Sequence, residues 1–162
     1  MEFTAIMTVD VGDPAPDFSK PRDGGGSLSL ADLKGRPTVI YFYPKDDTPG
    51  CTKEACGFRD AWADVREAGI NVVGVSKDPA KSHDKFKAKY ELPFPLISDA
   101  DTELAQAFGV WKEKNMYGKK TMGVERSTFL LDADGVIRKA WRKVKVDGHV
   151  DTVLAEAKKL RG

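Results

Sequence analysis

Histidine and cysteine are scarce in this chain, two of each in 162 residues, and the scarcity narrows the chemistry open to it. A tetrahedral zinc site needs several Cys or His ligands at short spacing. His83 and His149 stand alone and far apart, so no metal is expected, and each histidine reads as a surface or capping residue. Charge of one sign is also lacking: 26 Lys and Arg oppose 25 Asp and Glu, for a formal net charge of +1. With no dense basic block, nothing attracts nucleic acid or an anionic membrane. No apolar run approaches the roughly 20 residues of a membrane span; the longest, such as Val39 to Tyr43, are strand-sized. Met1 to Met7 lacks the basic and long apolar segments of a secretory signal. The expectation is a cytoplasmic protein without internal repeats or low-complexity linkers. Residues 1–162 are read as one domain, with residues 1–8 a flexible extension.

What is present is an ordinary globular mixture, 41% hydrophobic and 31% charged, long enough to bury a core. Thr38 to Tyr43 and Ile70 to Val75 are β-branched or aromatic runs of the kind that form strands buried on both faces. Between them Ala55, Phe58, Trp62 and Val65 recur at spacings of three and four, one apolar helical stripe closed by Gly69. Strand, helix, strand of this length predicts a βαβ unit with parallel strands. Pro79 to Tyr90 predicts a lysine-rich surface helix, Phe94 to Ile97 a short strand, and Asp101 to Phe108 a short helix. Ser127 to Leu131 and Val136 to Trp141 flank the turn Asp132-Ala133-Asp134-Gly135 as an antiparallel hairpin. Gly148 to Leu160 predicts an amphipathic helix, while the stretch containing Gly24-Gly25-Gly26 reads as loop or short strands. The fold class is α/β.

The two cysteines lie five residues apart, at the junction of the first βαβ strand with its helix. In a reducing compartment so close a pair is more often redox-active or metal-binding than a structural staple. Pro49 disfavours a helical conformation at Thr48, so Thr48 is the expected N-cap, Pro49 the first helical residue, and Cys51 falls in the first turn. Unsatisfied N–H groups and the positive end of the helix dipole there favour a thiolate, the nucleophilic form. Cys51 extends the inward stripe, whereas Cys56 is rotated about 140° from it. In an intact helix their Cα atoms would be roughly 8.7 Å apart, beyond the roughly 4.4 to 6.8 Å that a disulfide accepts. If these thiols bond to each other, the first turns of the helix must unwind. Glu54 reads as a favourable first-turn carboxylate. Arg126, in isolation, reads as half of a surface ion pair, and Pro44 as the end of a strand.

The segment Phe42-Tyr43-Pro44-Lys45-Asp46-Asp47-Thr48-Pro49-Gly50-Cys51-Thr52-Lys53-Glu54-Ala55-Cys56 resembles the active-site signature of peroxiredoxins of the Q type, the bacterioferritin comigratory protein family. Pro44, Thr48 and Cys51 fit its Pro-x-x-x-Thr-x-x-Cys, and Gly12 to Phe18 and Tyr117 to Asp132 extend the likeness over nearly the whole chain. The one departure is the glycine-rich stretch from Lys20 to Gly26. The resemblance implies a thioredoxin-like fold, with a central mixed sheet flanked by helices. It implies Cys51 as the peroxidatic cysteine, Cys56 as the resolving cysteine, Thr48 hydrogen-bonding the peroxide, Pro44 shielding the pocket and Arg126 holding the thiolate. It further implies hydrogen peroxide or an alkyl hydroperoxide as substrate, thioredoxin or a similar dithiol as reductant, no cofactor, and a monomer. A thiol–disulfide oxidoreductase would more typically carry Cys-x-x-Cys, and a peroxide sensor would share the same thiol chemistry.

Overall fold

The computed structural model describes residues 9–161; the proposed extension over residues 1–8 lies outside them. The first elements are an antiparallel hairpin, β1 (Ser19–Pro21) and β2 (Ser27–Ser29). Gly24, Gly25 and Gly26 in its loop have φ of 77°, 91° and 75°, a region glycine enters without strain. The glycine-rich stretch is thus a turn. A single helical turn follows, α1 (Leu30–Leu33), opened by a capping box between Ser29 and Asp32.

The centre of the fold is β3 (Thr38–Phe42), then α2 (Pro49–Asp60), α3 (Trp62–Glu67) and β4 (Asn71–Ser76). The chain continues through α4 (Ala80–Tyr90), β5 (Leu96–Ser98), α5 (Glu103–Ala107), β6 (Trp111–Met116), β7 (Lys119–Val124), β8 (Ser127–Leu131), β9 (Ile137–Trp141) and α6 (His149–Arg161). Five strands form one sheet in the order β5-β4-β3-β8-β9. β3 pairs parallel with β4 and antiparallel with β8, so the sheet is mixed. This is the expected α/β architecture.

Every residue of β3 is buried, because both faces of the sheet are covered. Ile40 and Phe42 pack into one layer with Val73, Val75, Phe108 and Phe129. Val39, Tyr41 and Tyr43 face the other layer, with Cys51, Ala55 and Phe58 of α2 and Val153 and Leu154 of α6. The carboxyl end of β3 therefore delivers the chain to a helix whose inward stripe already lies on the sheet.

Three expectations need correction, and one element was missed. The stripe from Ala55 to Val65 belongs to two helices, since the backbone turns at Ala61 (φ −92°, ψ 7°). The strand expected at Phe94 to Ile97 begins later, beyond Pro95, which has no N–H to give a ladder. The hairpin β6–β7 went unforeseen; most of β7 is exposed, so no apolar alternation marks it. The histidines are not surface residues: His83 is fully buried, His149 is 7% exposed, and both are hydrogen-bonded. The helix α4 is the expected lysine-rich surface helix, with Lys81, Lys85 and Lys89 exposed, and only half-buried Lys87 turns to a buried partner, Asp23. Among the described residues no helix is long and apolar enough to cross a membrane, and no group of three or more His, Cys, Asp or Glu is placed to hold a metal.

Candidate active site

Leaving β3, the chain runs through Tyr43 and Pro44 to a bend at Asp47, whose φ is 57°. Thr48 is extended (φ −104°, ψ 155°) and stands at the N-cap with Pro49 directly after it. Its backbone oxygen accepts from Thr52 N–H at 2.8 Å. The Thr48 hydroxyl does not cap the helix, contrary to the N-cap reading of its side chain: it donates to the Lys45 carbonyl at 2.9 Å. That bond spends the hydroxyl proton and leaves the oxygen's lone pairs free to accept.

Cys51 follows in the first turn of α2, 1% exposed. Arg126, just before β8, reaches over the helix start. Its Nη2 donates to Cys51 Sγ at 3.3 Å and its Nη1 to Glu54 Oε1 at 2.7 Å. Gly50 permits this approach, because a Cβ there would stand 3.0 Å from Arg126 Nη2. Arg126 is therefore not half of a surface ion pair. It is a fork whose two nitrogens serve a sulfur and a buried carboxylate at once, which a lysine could not do.

Glu54 is the residue that sequence reasoning undervalued. It is fully buried, and its Oε2 has no hydrogen-bond partner. Burial pushes its carboxyl up to about 7, against the pull of Arg126. A signal existed: Glu54 lies three residues after Cys51, on the inward side of the helix, where a carboxylate requires a cation. Its raised value has a stability consequence. The folded state binds the Glu54 proton more tightly than the unfolded chain, so stability falls as pH rises from 4.5 through about 7. Across that window the loss is about 3 kcal/mol. Glu54→Gln removes the titration, so its stability relative to the native chain is expected to improve by that amount between pH 4 and 8, as read from urea unfolding midpoints.

His149 opens α6 close by. Its Nε2 is 2.8 Å from Thr128 Oγ1, and its ring meets Trp141 edge-on at 5.9 Å. Burial, and then the charge of Arg126, lower it to about 4. It is neutral at physiological pH and adds no second positive charge beside Arg126.

Both cysteines are free, and α2 is wound through both positions. Cys51 belongs to the inner layer, whereas half-buried Cys56 opens on a cleft of about 340 Å³ lined by Lys53, Gly57, Val146 and Val150 among others. An ion pair between Lys53 and Asp147 ties the first turns of α2 to the segment before α6. Pro44 lines a separate cleft of about 370 Å³ together with Arg126, Lys112, Lys114, Lys143 and Val144. The structure thus joins Cys51 to Arg126 directly, puts Pro44 beside Arg126 and Thr48 at the helix start, and leaves Cys56 on another face.

A wound helix start carrying a buried thiol under a guanidinium, at the carboxyl end of a central strand, is the arrangement of a thiol-based redox enzyme. The sequence profile of the AhpC/TSA family matches residues 11–140. Peroxiredoxin Bcp of Bacillus subtilis is 50% identical over 152 residues, covering 94% of this chain and 97% of that protein. Peroxiredoxin Bcp of Xanthomonas campestris is 52% identical over 147 residues, covering 90% and 92%. Among solved structures, a cysteine-to-serine mutant of PrxQ from Xylella fastidiosa superposes with a TM-score of 0.89 at 40% identity, covering 94% and 98%. A structure of the Xanthomonas campestris bacterioferritin comigratory protein, described by its alkyl peroxide reduction activity, gives 0.85 at 50% identity, covering 90% and 92%. The chain belongs to the AhpC/TSA family and is a peroxiredoxin, a peroxidase of the oxidoreductases. Within that class its likeness is to the Bcp, or peroxiredoxin Q, proteins.

Proposed function

We propose that Cys51 is the peroxidatic nucleophile and Cys56 the resolving thiol of a peroxidase acting on hydrogen peroxide and alkyl hydroperoxides. The observation that carries this reading is the Arg126 Nη2 to Cys51 Sγ contact of 3.3 Å at the first turn of α2. A fixed cation and a helix N-terminus both stabilise an anionic sulfur.

The thiolate attacks one peroxide oxygen in line with the O–O bond. The sulfur gains that oxygen as a sulfenic acid, and the second oxygen departs with the bonding electron pair and takes a proton, as water or alcohol. Thr48 Oγ1, its own proton given to Lys45, accepts from the peroxide O–H, while Arg126 stabilises the charge moving onto the leaving oxygen. Pro44 closes one side of the pocket.

Cys56 then condenses with the sulfenic acid, releasing water and forming the Cys51–Cys56 disulfide. This requires the start of α2 to unwind and the Lys53–Asp147 tie to open. A dithiol protein, thioredoxin or one like it, reduces the disulfide by exchange. No cofactor enters any step.

In a peroxide assay coupled to thioredoxin, Cys56→Ser is expected to consume a single equivalent of peroxide and then stall until a small thiol is added. Sustained thioredoxin-driven turnover by Cys56→Ser would remove Cys56 from the cycle.

A further inference from the structure

Behind the loop that carries Pro44 and Thr48 lies a buried polar cluster which the reaction above does not use. Its hub is Asp46, 7% exposed. Asp46 Oδ1 accepts from the Tyr43 hydroxyl at 2.6 Å, and Oδ2 accepts from Ser82 Oγ at 2.8 Å. His83 Nδ1 stands 2.7 Å from the same Oδ2, and His83 Nε2 stands 2.9 Å from the Ile97 carbonyl oxygen. The Asp46 N–H donates to Asp78 Oδ2 at 2.9 Å, and Asp78 in turn accepts from Ser76 Oγ. The loop is thereby tied to the ends of β4 and β5 and to the first turn of α4.

The decisive feature is that both nitrogens of a fully buried imidazole face pure acceptors. A carboxylate and a backbone carbonyl only accept, so both ring nitrogens must donate, and a ring with two N–H groups is an imidazolium. The groups facing it agree with this. Asp46 comes from the loop, Asp78 from the β4–α4 connection and the Ile97 carbonyl from β5, while the Tyr43 ring packs at 6.4 Å. Burial disfavours the charge, but the bond to Asp46 and the nearby carboxylates prevail, holding His83 above its ordinary value. A neutral ring would turn a bare nitrogen lone pair toward one of the two acceptors, and the bond to Asp46 would lose its charge assistance.

We propose that His83 is a positioning residue of the peroxidase, a cation clamped between Asp46 and the Ile97 carbonyl that holds the Tyr43 to Thr48 loop where Pro44 and Thr48 meet the peroxide. Asp46 lies midway between those two residues, so a shift of its carboxylate moves both. The Cys51–Arg126 contact comes from α2 and the segment before β8 and does not depend on the clamp. This inference rests on the reading of Cys51 as nucleophile and adds a separable claim: the clamp governs reaction with peroxide, not the nucleophilicity of the sulfur.

The test compares wild type, His83→Gln and Asp46→Asn. The glutamine side chain can donate to one of the two acceptors at most, and the asparagine keeps the size of the aspartate without its charge. For each protein the second-order rate of Cys51 oxidation by hydrogen peroxide is measured beside the rate of Cys51 alkylation by iodoacetamide. The expected result is a fall of about 10-fold to 100-fold with peroxide, the scale of a misplaced reacting geometry, with alkylation unchanged. An unchanged peroxide rate in folded variants, or a parallel fall of both rates, overturns the clamp. If the variants do not fold, nitrogen NMR of the wild-type His83 ring decides. Two ring N–H groups at neutral pH, with peroxide reactivity lost at the pH where the second proton leaves, support it; a neutral ring at pH 7 overturns it. Wild type that oxidises no faster than an ordinary thiol would instead sink the assignment of Cys51.

Discussion

Cys51→Ser is expected to reduce peroxide consumption to the buffer background, with or without thioredoxin, while the fold persists. Serine is close to cysteine in size, and Cys51 fills its place in the inner layer with one small side chain. What disappears, on the proposed assignment, is the nucleophilic sulfur. A serine hydroxyl stays protonated where a thiol can ionise, so Arg126 Nη2 is left facing a neutral oxygen with no nucleophilic charge to stabilise. Cys56 does not substitute for it. It lies outside the inner layer, on the cleft beside α6, and the guanidinium donates to Cys51 and Glu54 instead. A single-turnover trace of peroxide loss, with a thiol titration confirming one remaining free thiol, checks this.

Arg126→Ala is expected to keep the thiol yet lower its second-order rate with peroxide by about 10²-fold to 10³-fold, the usual penalty for losing a preorganised donor to developing charge. Two contributions add. The sulfur loses the cation that favours its anionic form, and the departing oxygen loses the group that meets its charge. Removing Arg126 also strands the buried Glu54, which then takes a proton in place of a partner. For that reason Arg126→Lys is the informative companion. A lysine carries the charge but only one point of it, so it can serve Glu54 or Cys51 and is expected to fall between wild type and alanine. Stopped-flow tryptophan fluorescence gives the rates, and thermal unfolding separates them from loss of fold.

The parts of this molecule that were legible in its sequence are those specified by short-range pattern. β3 and β4 are runs rich in β-branched and aromatic residues, β8 and β9 flank the Asp132 to Gly135 turn, and the Thr48-Pro49 pair marks the start of α2 within one residue. The features that were not legible depend on tertiary encounter. Arg126 and Cys51 are 75 residues apart in the chain, and nothing local to Arg126 separates a fork over a sulfur from a surface ion pair; only the resemblance raised it above that reading. Likewise His83 looks like one polar residue among lysines until α4 lays it against Asp46, 37 residues earlier. The β6–β7 hairpin has the opposite difficulty. Much of it packs against nothing, so burial left no periodic mark on its sequence.

Glu54 falls between these cases. Its spacing from Cys51 was readable and placed it inward, but the reading of it as a first-turn carboxylate favoured by the helix dipole was wrong: α2 begins at Pro49 and has no acidic residue in its first turn, so Glu54 stands in the second turn, and that local explanation concealed the long-range one. Its unpartnered oxygen and its place beside Arg126 tie the pH response of stability to the same guanidinium that serves the sulfur.

The central claim is that Cys51 and Cys56 are held apart by an intact helix and meet only when its first turns unwind. It is tested most directly by hydrogen exchange with peptide mass spectrometry on the reduced protein and on protein treated with one equivalent of peroxide. The expected result is an intramolecular Cys51–Cys56 disulfide together with lost amide protection from about Cys51 to Gly57, and protection elsewhere in the sheet retained. A disulfide between two chains, or an internal disulfide formed with the protection of α2 undiminished, would contradict it.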